Sequence, residues 1–136
     1  MKIEIVNPSL VDEVWPLVNP GFQIATRRFG DDLSPGELWQ MCRSGNSFLI
    51  VAYEENNVLM SCVVRFERWN NGSILRVVSL AGKRIDEWAD QVKDFLAEMA
   101  RKGGAQRIVA EGREGWSRIF DEPKKLRSTY VMEIAQ

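Results

Sequence analysis

Residues 74–111 read ILRVVSLAGKRIDEWADQVKDFLAEMARKGGAQRIVAE, and this stretch carries the clearest structural pattern of the chain. Ile74–Leu80 is apolar at nearly every position, which is typical of a strand covered on both faces. A helix follows, because apolar side chains recur at helical spacing until Gly103-Gly104 ends it. With the strand Arg107–Glu111 that comes next, this order predicts a right-handed parallel crossover. The apolar helix positions are Ile85, Trp88, Ala89, Val92, Phe95, Leu96, Met99 and Ala100.

Strands of a meander precede this unit. Phe48–Tyr53 is a continuous apolar run of strand length, and the next strand, Val58–Phe66, alternates apolar and polar residues with the period of a sheet. The turn Asn70–Ser73 contains Asn-Gly, the strongest short signal of a hairpin, before the chain returns as Ile74–Leu80. Lys2–Val6 predicts a further strand at the start of the chain.

Helices are predicted between the first strand and the meander. Pro16 lies too deep for a first-turn proline, so the first helix is expected to kink or end near Trp15. A second helical piece is expected over Phe22 to Phe29. The start of the next helix is marked by Ser34-Pro35-Gly36-Glu37, with a cap, a proline at the first helical position and an acid at the third.

A final strand is predicted over Thr129–Ile134. The fold class is therefore α/β (α+β), with a mixed, mostly antiparallel sheet of about six strands and helices on both faces. The chain has 136 residues, which suits one domain over residues 1–136.

Composition excludes several classes of protein and of site. Apolar residues make up 45% and charged residues 27% of the chain, as in ordinary globular proteins. No apolar run approaches the roughly 20 residues of a membrane helix, and the N-terminus lacks the apolar core of a signal peptide. We therefore expect no membrane span and a cytoplasmic location.

The chain has no histidine, which excludes a Ser-His-Asp triad and every His-containing metal site. Cys42 and Cys62 cannot form a Cys-only zinc site, and Cys62, in an apolar run, is expected to be a buried, inert thiol. No spacing of acidic residues suggests a magnesium site, so no metal is predicted.

Charge is uneven along the chain although the net charge is −1. Residues 1–60 carry 4 basic and 8 acidic side chains, whereas residues 101–127 carry 8 basic and 4 acidic ones. Two solvated faces of opposite sign explain this, and a basic rim for a phosphate-bearing ligand or nucleic acid is the alternative. Aromatic residues are not interleaved with the bases, which makes nucleic acid the least favoured partner.

The order of elements resembles the GNAT (Gcn5-related N-acetyltransferase) fold over essentially the whole chain. In that family the strand before the long helix leads into an Arg/Gln-x-x-Gly-x-Gly/Ala turn whose amides bind the pyrophosphate of acetyl-CoA. The matching stretch here is Ser79–Arg84: Gly82 fits the first glycine, Ser79 replaces Arg or Gln, and Arg84 replaces the second small residue. The acids Asp86 and Glu87 lie near the first turn of the helix and oppose a bound phosphate, so the resemblance implies weak binding of acetyl-CoA. The cofactor-binding residues that it implies are Val77, Val78, Ser79, Leu80, Ala81, Gly82, Lys83 and Arg84.

A second family feature follows the parallel strand, where GNAT enzymes have an Asn, then an Ala, then a Tyr that commonly protonates the departing CoA thiolate. The corresponding positions here are Arg113, Trp116 and Phe120, and Phe120 has no hydroxyl to donate. Tyr53 and Tyr130 are the only phenols of the chain, and both are expected to pack in strands.

A narrower similarity is to short GNAT-like proteins of tailed bacteriophages. Its basis is the stretch Gly112-Arg113-Glu114-Gly115-Trp116, together with Val14-Trp15-Pro16. This resemblance implies a host cytoplasm or a virion as the location. The two glycines are equally explained by a tight turn that lets Trp116 cover the end of the sheet.

Two carboxylates are candidates for the catalytic base. Glu111 ends the parallel strand at the sheet edge outside which ligands bind, and Glu54 lies in a turn at the same end of the sheet as Leu80. Two functions follow. The chain is either an acetyl-CoA-dependent N-acetyltransferase acting on a small-molecule or protein amine, or an inactive GNAT-like module that binds a protein partner.

Overall fold

The computed structural model describes residues 1–29, 32–112 and 114–135. Five strands are present: β1 (Lys2–Val6), β2 (Phe48–Glu54), β3 (Asn57–Trp69), β4 (Gly72–Gly82) and β5 (Arg107–Ala110). The helices are α1 (Val11–Phe29), α2 (Pro35–Arg43) and α3 (Ala89–Lys102), with single 3-10 turns at Pro8–Leu10, Ile85–Glu87 and Glu114–Arg118.

The five strands form one sheet in the order β1-β2-β3-β4-β5. The first four pair antiparallel, and β5 pairs in parallel with β4 from Ile74 opposite Arg107 to Val77 opposite Ala110. The predicted crossover through α3 and the mostly antiparallel mixed sheet are thus confirmed.

The sheet has a core on each face. On the side that we call the α3 face, Leu75 and Val77 pack with Val92 and Leu96 of α3. On the opposite side, the α1/α2 face, Val63 packs with side chains of both other helices, among them Val18, Phe22, Leu38 and Cys42. Helices therefore cover both faces, as the alternating strands predicted.

The first helix is unbroken, so the predicted kink or end near Trp15 is wrong. Pro16 and Pro20 both lie inside α1. An interior proline costs about 3 kcal/mol, but Val11, Val18 and Phe22 are fully buried, and each such side chain contributes about 1.5–3 kcal/mol. The free energy gained by burying these three side chains thus outweighs the loss of the two hydrogen bonds that the prolines cannot donate. The capping box of α2 at Ser34 and Glu37 is confirmed.

The predicted last strand, Thr129–Ile134, is not formed, so the sheet has five strands instead of about six. The segment has no regular structure and every residue in it is exposed. The residue types of Thr129–Ile134 suit a sheet. A strand also needs a neighbouring strand for its backbone hydrogen bonds, and none of the described backbone hydrogen bonds joins this segment to β5.

Both cysteines are buried, and burial raises the pKa of the Cys42 and Cys62 thiols to about 12. The prediction that Cys62 is buried is confirmed, and its raised pKa disfavours the reactive thiolate. Among the described residues, no three Cys, Asp or Glu side chains are grouped to hold a metal ion. No helix in the described part of the chain is both long and apolar enough to cross a membrane.

Candidate functional site at the parting of β4 and β5

The central strand β4 leaves its parallel neighbour halfway along its length. The last pair between them is Val77 opposite Ala110, whereas β4 continues to Gly82 against β3. The register of β3 against β4 shifts at this point, because Val63 and Val64 face Ser79 and Val77 and leave Val78 as an extra residue. Such a bulge bends a strand and increases its twist. Among the described residues, Val78–Gly82 has no strand partner on the side that β5 leaves.

The turn after β4 is fixed by packing. A Cβ atom on Gly82 would lie 2.7 Å from Cζ2 of Trp88 and 3.1 Å from the Leu59 carbonyl oxygen. The indole Nε1 of Trp88 donates to the Lys83 carbonyl at 2.8 Å, and the Lys83 amide donates to the Leu59 carbonyl at 3.0 Å. Glycine is therefore needed at position 82 whether or not a phosphate approaches it.

Charged groups of both signs surround the start of α3. Arg84 adopts a left-handed conformation with φ 57°, where the GNAT pattern has a small residue, and its Nε lies 3.3 Å from Glu87. Asp86 accepts a hydrogen bond from Arg118 at 3.0 Å. Asp86 and Glu87 therefore each have a guanidinium partner, which weakens their repulsion of a bound phosphate. Among the described residues, no side chain caps α3, so its first amide groups have no side-chain acceptor.

The 3-10 turn after β5 packs against the core of the α3 face. We call the space beyond Val77 and Ala110, where β4 and β5 part, the gap. Phe120 and Trp116 pack with ring centroids 4.9 Å apart and ring planes tilted by 36°, and the Phe120 amide donates to the Trp116 carbonyl at 2.9 Å. Gly112 has φ 149°, and a Cβ atom there would lie 3.1 Å from Nε1 of Trp116. These contacts explain Gly112 and Trp116 by local packing, while Arg113 lies outside the described residues.

A charged cluster lies on the α1/α2 face of β3, β4 and β5. Glu67 is its centre: it accepts hydrogen bonds from Arg65 at 2.7 Å, from Arg76 at 2.6 Å and from the Trp69 indole at 3.0 Å. Three guanidinium groups lie 5.2–5.7 Å from the Trp69 ring. The members of this charged cluster are Arg65, Glu67, Trp69, Arg76, Arg107, Glu111 and Arg127.

The two candidate bases are not brought together. Glu111 belongs to the charged cluster, where it accepts a hydrogen bond from Arg76 at 2.9 Å and lies 3.8 Å from Arg127. Glu54 lies 3.8 Å from the N-terminal amine. It stands at the end of β2, further along the sheet than Gly82 at the end of β4. Only Glu111 lies beside the point where β4 and β5 part.

The eight predicted cofactor residues fall into three groups. Val77 is buried and is the last residue paired with β5, so its side chain is part of the core. Val78–Ala81 lie half-buried along the free edge, and Gly82–Arg84 are exposed just before the 3-10 turn Ile85–Glu87 that precedes α3. The stretch is thus continuous along one side of the gap. The two concavities of about 350 and 530 Å³ lie elsewhere, beside Phe66 and Phe95 and beside Gln23 and Pro35.

Sequence reasoning missed the charged cluster and the role of Trp88. Arg65, Glu67 and Trp69 alternate along β3, so their common face could have been predicted from the period of a strand. Their contacts with Arg107 and Arg127 join distant parts of the chain and have no local signal.

No protein-family profile matches the sequence, and no curated protein matches it. Solved structures match it over nearly the full length of both chains. A ribosomal-protein-alanine N-acetyltransferase from Brucella melitensis biovar Abortus 2308 aligns with 98% of this chain and 100% of its own, at a TM-score of 0.70 and 14% identity. A GNAT family acetyltransferase from Staphylococcus aureus subsp. aureus USA300_TCH1516 aligns with 98% of both chains, at a TM-score of 0.68 and 9% identity.

The chain has the GNAT fold. A third GNAT-like structure, an aminoglycoside acetyltransferase from an uncultured soil metagenomic sample in complex with sisomicin, covers 97% of this chain and 96% of its own. Its TM-score is 0.61 and its identity 13%. The predicted resemblance to the GNAT fold is confirmed by these neighbours. The similarity to bacteriophage proteins stays a prediction.

The lowered pKa of Glu67 predicts that the sheet loses stability in acid. Burial alone would raise the pKa of Glu67, but hydrogen bonds from Arg76, Trp69 and Arg65 outweigh it and lower the pKa from 4.5 to about 2. A lowered folded-state pKa stabilises the protein above about pH 4.5, and this contribution is lost as the pH falls towards 2. We expect Glu67→Gln to lower the free energy of unfolding at pH 7 by about 1–3 kcal/mol.

Urea unfolding at pH 7 and at pH 3 measures this effect. The difference in stability between the two pH values should be smaller in Glu67→Gln than in the parent chain. Glu98→Gln, which removes an exposed carboxylate 3.0 Å from Arg101, is the matched control and should leave that difference unchanged. Equal pH dependence in the Glu67 variant and the parent would contradict the assignment.

Proposed function

We propose that residues 1–136 act as one GNAT-like domain that binds acetyl-CoA between β4 and β5 and transfers the acetyl group to an amine. The observation that carries the proposal is the free edge of Val78–Gly82, which leads into Lys83 and Arg84 and, after the 3-10 turn Ile85–Glu87, into α3. A free strand edge offers backbone donors and acceptors to an extended, amide-bearing chain such as pantetheine. The acetyltransferase neighbours support the same reaction class.

The end of the free edge near Gly82 is suited to bind the phosphate groups of acetyl-CoA. Lys83 and Arg84 supply positive charge, and the uncapped first turn of α3 supplies free amides at the positive end of the helix dipole. The Arg84 side chain stands where GNAT enzymes have a small residue, so the phosphates would approach its guanidinium group instead of bare backbone. This arrangement favours binding that is weak and sensitive to salt.

Glu111 is the residue that we assign as the base. Bound acetyl-CoA supplies an activated thioester, whose carbonyl carbon forms a bond to the amine nitrogen while the bond to sulfur breaks. Glu111 would accept the proton that the amine nitrogen loses, because its carboxylate directly follows β5 beside the gap. Glu54 is the weaker candidate, since it lies on β2 beyond the level of Gly82. Phe120 offers no proton to the leaving thiolate.

The acceptor is proposed as an amine. The neighbouring folds include an enzyme named for ribosomal-protein alanine and one solved with an aminoglycoside, so the same architecture serves protein and small-molecule acceptors. On this chain the charged cluster, which includes Glu111, lies on the α1/α2 face. An acceptor would enter the gap from that face.

An inactive binding module is the second candidate. Phe120 in place of the tyrosine favours it, as does Arg84, which holds a left-handed conformation in place of a small residue. A GNAT-like phage component in a virion or in the host cytoplasm, bound to a protein partner, is the form that the similarity to phage proteins suggests. In this case acetyl-CoA either binds without transfer or does not bind.

Calorimetric titration with acetyl-CoA tests the proposed function. We expect weak binding that Lys83→Ala weakens by about tenfold, because one charged contact to phosphate is lost. Lys102→Ala, at the other end of α3, is the matched control and should leave the affinity unchanged. No heat of binding at millimolar acetyl-CoA would refute the acetyl-CoA site and favour the interaction module.

Neutralising the acid nearest the helix start should strengthen binding slightly. We expect Asp86→Asn to raise the affinity for acetyl-CoA by about two- to fivefold, a small change because Asp86 is exposed and already paired with Arg118. The same titration measures it, with Glu98→Gln as the control. Tight binding by the parent chain and no gain in the variant would mean that Asp86 does not face the phosphates.

A further inference from the structure

Positive charge exceeds negative charge within the charged cluster. Its four arginines and two glutamates leave a net charge of +2. Arg76 pairs with both carboxylates, with Glu67 at 2.6 Å and with Glu111 at 2.9 Å. Arg107 has no carboxylate partner among the described residues, and it donates a hydrogen bond at 3.0 Å to the neutral amide oxygen of Asn71. The surface therefore keeps uncompensated positive charge at the start of β5.

Three guanidinium groups of the cluster gather at one aromatic ring. Arg76, Arg107 and Arg127 lie 5.7, 5.3 and 5.2 Å from the centroid of the Trp69 ring. The ring attracts each cation, but like charges held around one ring repel one another. An anionic group that binds at this ring removes the repulsion and accepts charge-assisted hydrogen bonds from the guanidinium groups.

The cluster is held in place by its own hydrogen bonds. The Trp69 indole donates to Glu67 at 3.0 Å, and the Arg107 guanidinium is fixed by Asn71. The side chains of Glu67 and Arg76 are only 21% and 15% exposed. A ligand that binds here therefore has few side chains to order, which reduces the entropy cost of binding.

The positive surface adjoins the residue that we assign as the base. The even-numbered residues of β5 pack on the α3 face, so Arg107 and Glu111 lie on the α1/α2 face. The four strand positions between them correspond to about 13 Å. Arg127 lies within this span, because its guanidinium group is 3.8 Å from Glu111 and 5.2 Å from the Trp69 ring. One short molecule can therefore reach both Glu111 and the arginines at Trp69.

We propose that the acceptor is an amine that also carries a carboxylate or a phosphate group, which Arg107 and Arg127 bind at Trp69 while the amine lies at Glu111. This inference rests on the proposed function and adds the class of substrate. Arginine suits both anions, because its planar guanidinium group matches the geometry of carboxylate and of phosphate. The net charge of the cluster disfavours an amine that carries further positive charges.

Binding of a matched pair of peptides tests this site without acetyl-CoA. The probes are the tripeptide amides Gly-Gly-Glu and Gly-Gly-Gln, which differ in one carboxylate, and Gly-Gly-phosphoserine amide tests phosphate. The NMR signal of the Trp69 indole proton, assigned by its loss in Trp69→Phe, reports binding. We expect the glutamate peptide to bind about tenfold more tightly than the glutamine peptide at low salt. The preference should shrink as salt is added.

Two arginine variants assign the contacts. Arg127→Gln and Arg107→Gln should each remove most of the preference for the glutamate peptide, because each loses charge-assisted hydrogen bonds to the carboxylate. The Arg127 side chain is 57% exposed, so its replacement tests the site even if Arg107→Gln fails to fold. Arg127→Lys, which keeps the charge, should retain part of the preference. Arg101→Gln, at a 71% exposed side chain of α3, is the matched control and should leave it unchanged.

The outcomes separate this inference from the proposed function. Equal affinity for the glutamate and glutamine peptides, or a preference that survives both glutamine variants, would overturn the anionic acceptor whatever the acetyl-CoA titration shows. A single-stranded oligonucleotide that displaces the glutamate peptide and depends on the same arginines would overturn it in favour of nucleic acid. A preference for the glutamate peptide in a chain that binds no acetyl-CoA would support the anion site and refute the transfer reaction.

Discussion

Replacing Phe120 with tyrosine is expected to raise the rate of acetyl transfer by about 10²-fold or more while leaving the affinity for acetyl-CoA nearly unchanged. A positioned general acid contributes roughly 10²- to 10⁴-fold, and the phenylalanine ring cannot protonate a leaving thiolate. Phe120 is half-buried and packs on Trp116 in the turn after β5, at the position where the GNAT pattern has the tyrosine, so we expect a hydroxyl on this ring to supply the acid. Release of free thiol from acetyl-CoA in the presence of a permissive primary amine measures the rate.

Phe95→Tyr is the matched control, because it adds the same hydroxyl to a half-buried ring of α3 away from the gap. It should not change the rate. An ordinary rate in the parent chain that Phe120→Tyr leaves unaltered would place the acid elsewhere. If neither form transfers the acetyl group although both bind acetyl-CoA, the chain is a binding module.

The central part of the fold could be predicted because its sequence periods report burial directly. The apolar positions of α3 recur at helical spacing, and Val92 and Leu96 are fully buried where that spacing places them. The same holds for β3, whose alternation matches its pairing with β2 and β4. In these elements local propensity and tertiary packing favour the same structure.

The two wrong predictions, the break in α1 and the last strand, lie where local propensity and tertiary packing favour different structures. Pro16 disfavours a helix locally, yet the buried stripe of Val11, Val18 and Phe22 holds α1 together across it. In Thr129–Ile134 the residues favour a strand, but none of the described backbone hydrogen bonds joins the segment to the sheet, so local propensity alone does not form the strand. A sequence period reveals which face is apolar and does not reveal which surface covers it.

The candidate site was predictable where it is continuous in sequence. Val78–Arg84 follow one another in the sequence, so resemblance to one local family pattern is enough to propose them as cofactor-binding residues. Glu111 follows β5, as its position in the sequence predicts, but its contacts with Arg76 and Arg127 depend on the register between β4 and β5. The bulge at Val78 sets where the strands part, and it has no sequence signal in a uniformly apolar strand.

Trp88→Ala is expected to have the largest effect on stability, about 3–5 kcal/mol in the free energy of unfolding. Trp88 is only 2% exposed and fills the space over Gly82, and its indole nitrogen holds the Lys83 carbonyl at 2.8 Å. Removing the ring leaves a cavity between α3 and the end of β4. Denaturant unfolding measures the loss, and Trp39→Ala, at a half-buried indole on α2, should cost less.

The Trp88→Phe variant separates packing from positioning. It keeps an aromatic ring over Gly82 but loses the hydrogen bond to Lys83, so we expect a smaller loss of about 1–2 kcal/mol. Because that bond fixes the turn between β4 and α3, Trp88→Phe should also weaken acetyl-CoA binding by a few-fold, at a temperature where the variant is fully folded. Unchanged affinity would mean that the turn does not contact the phosphates, and the free edge of Val78–Ala81 alone would then carry the binding.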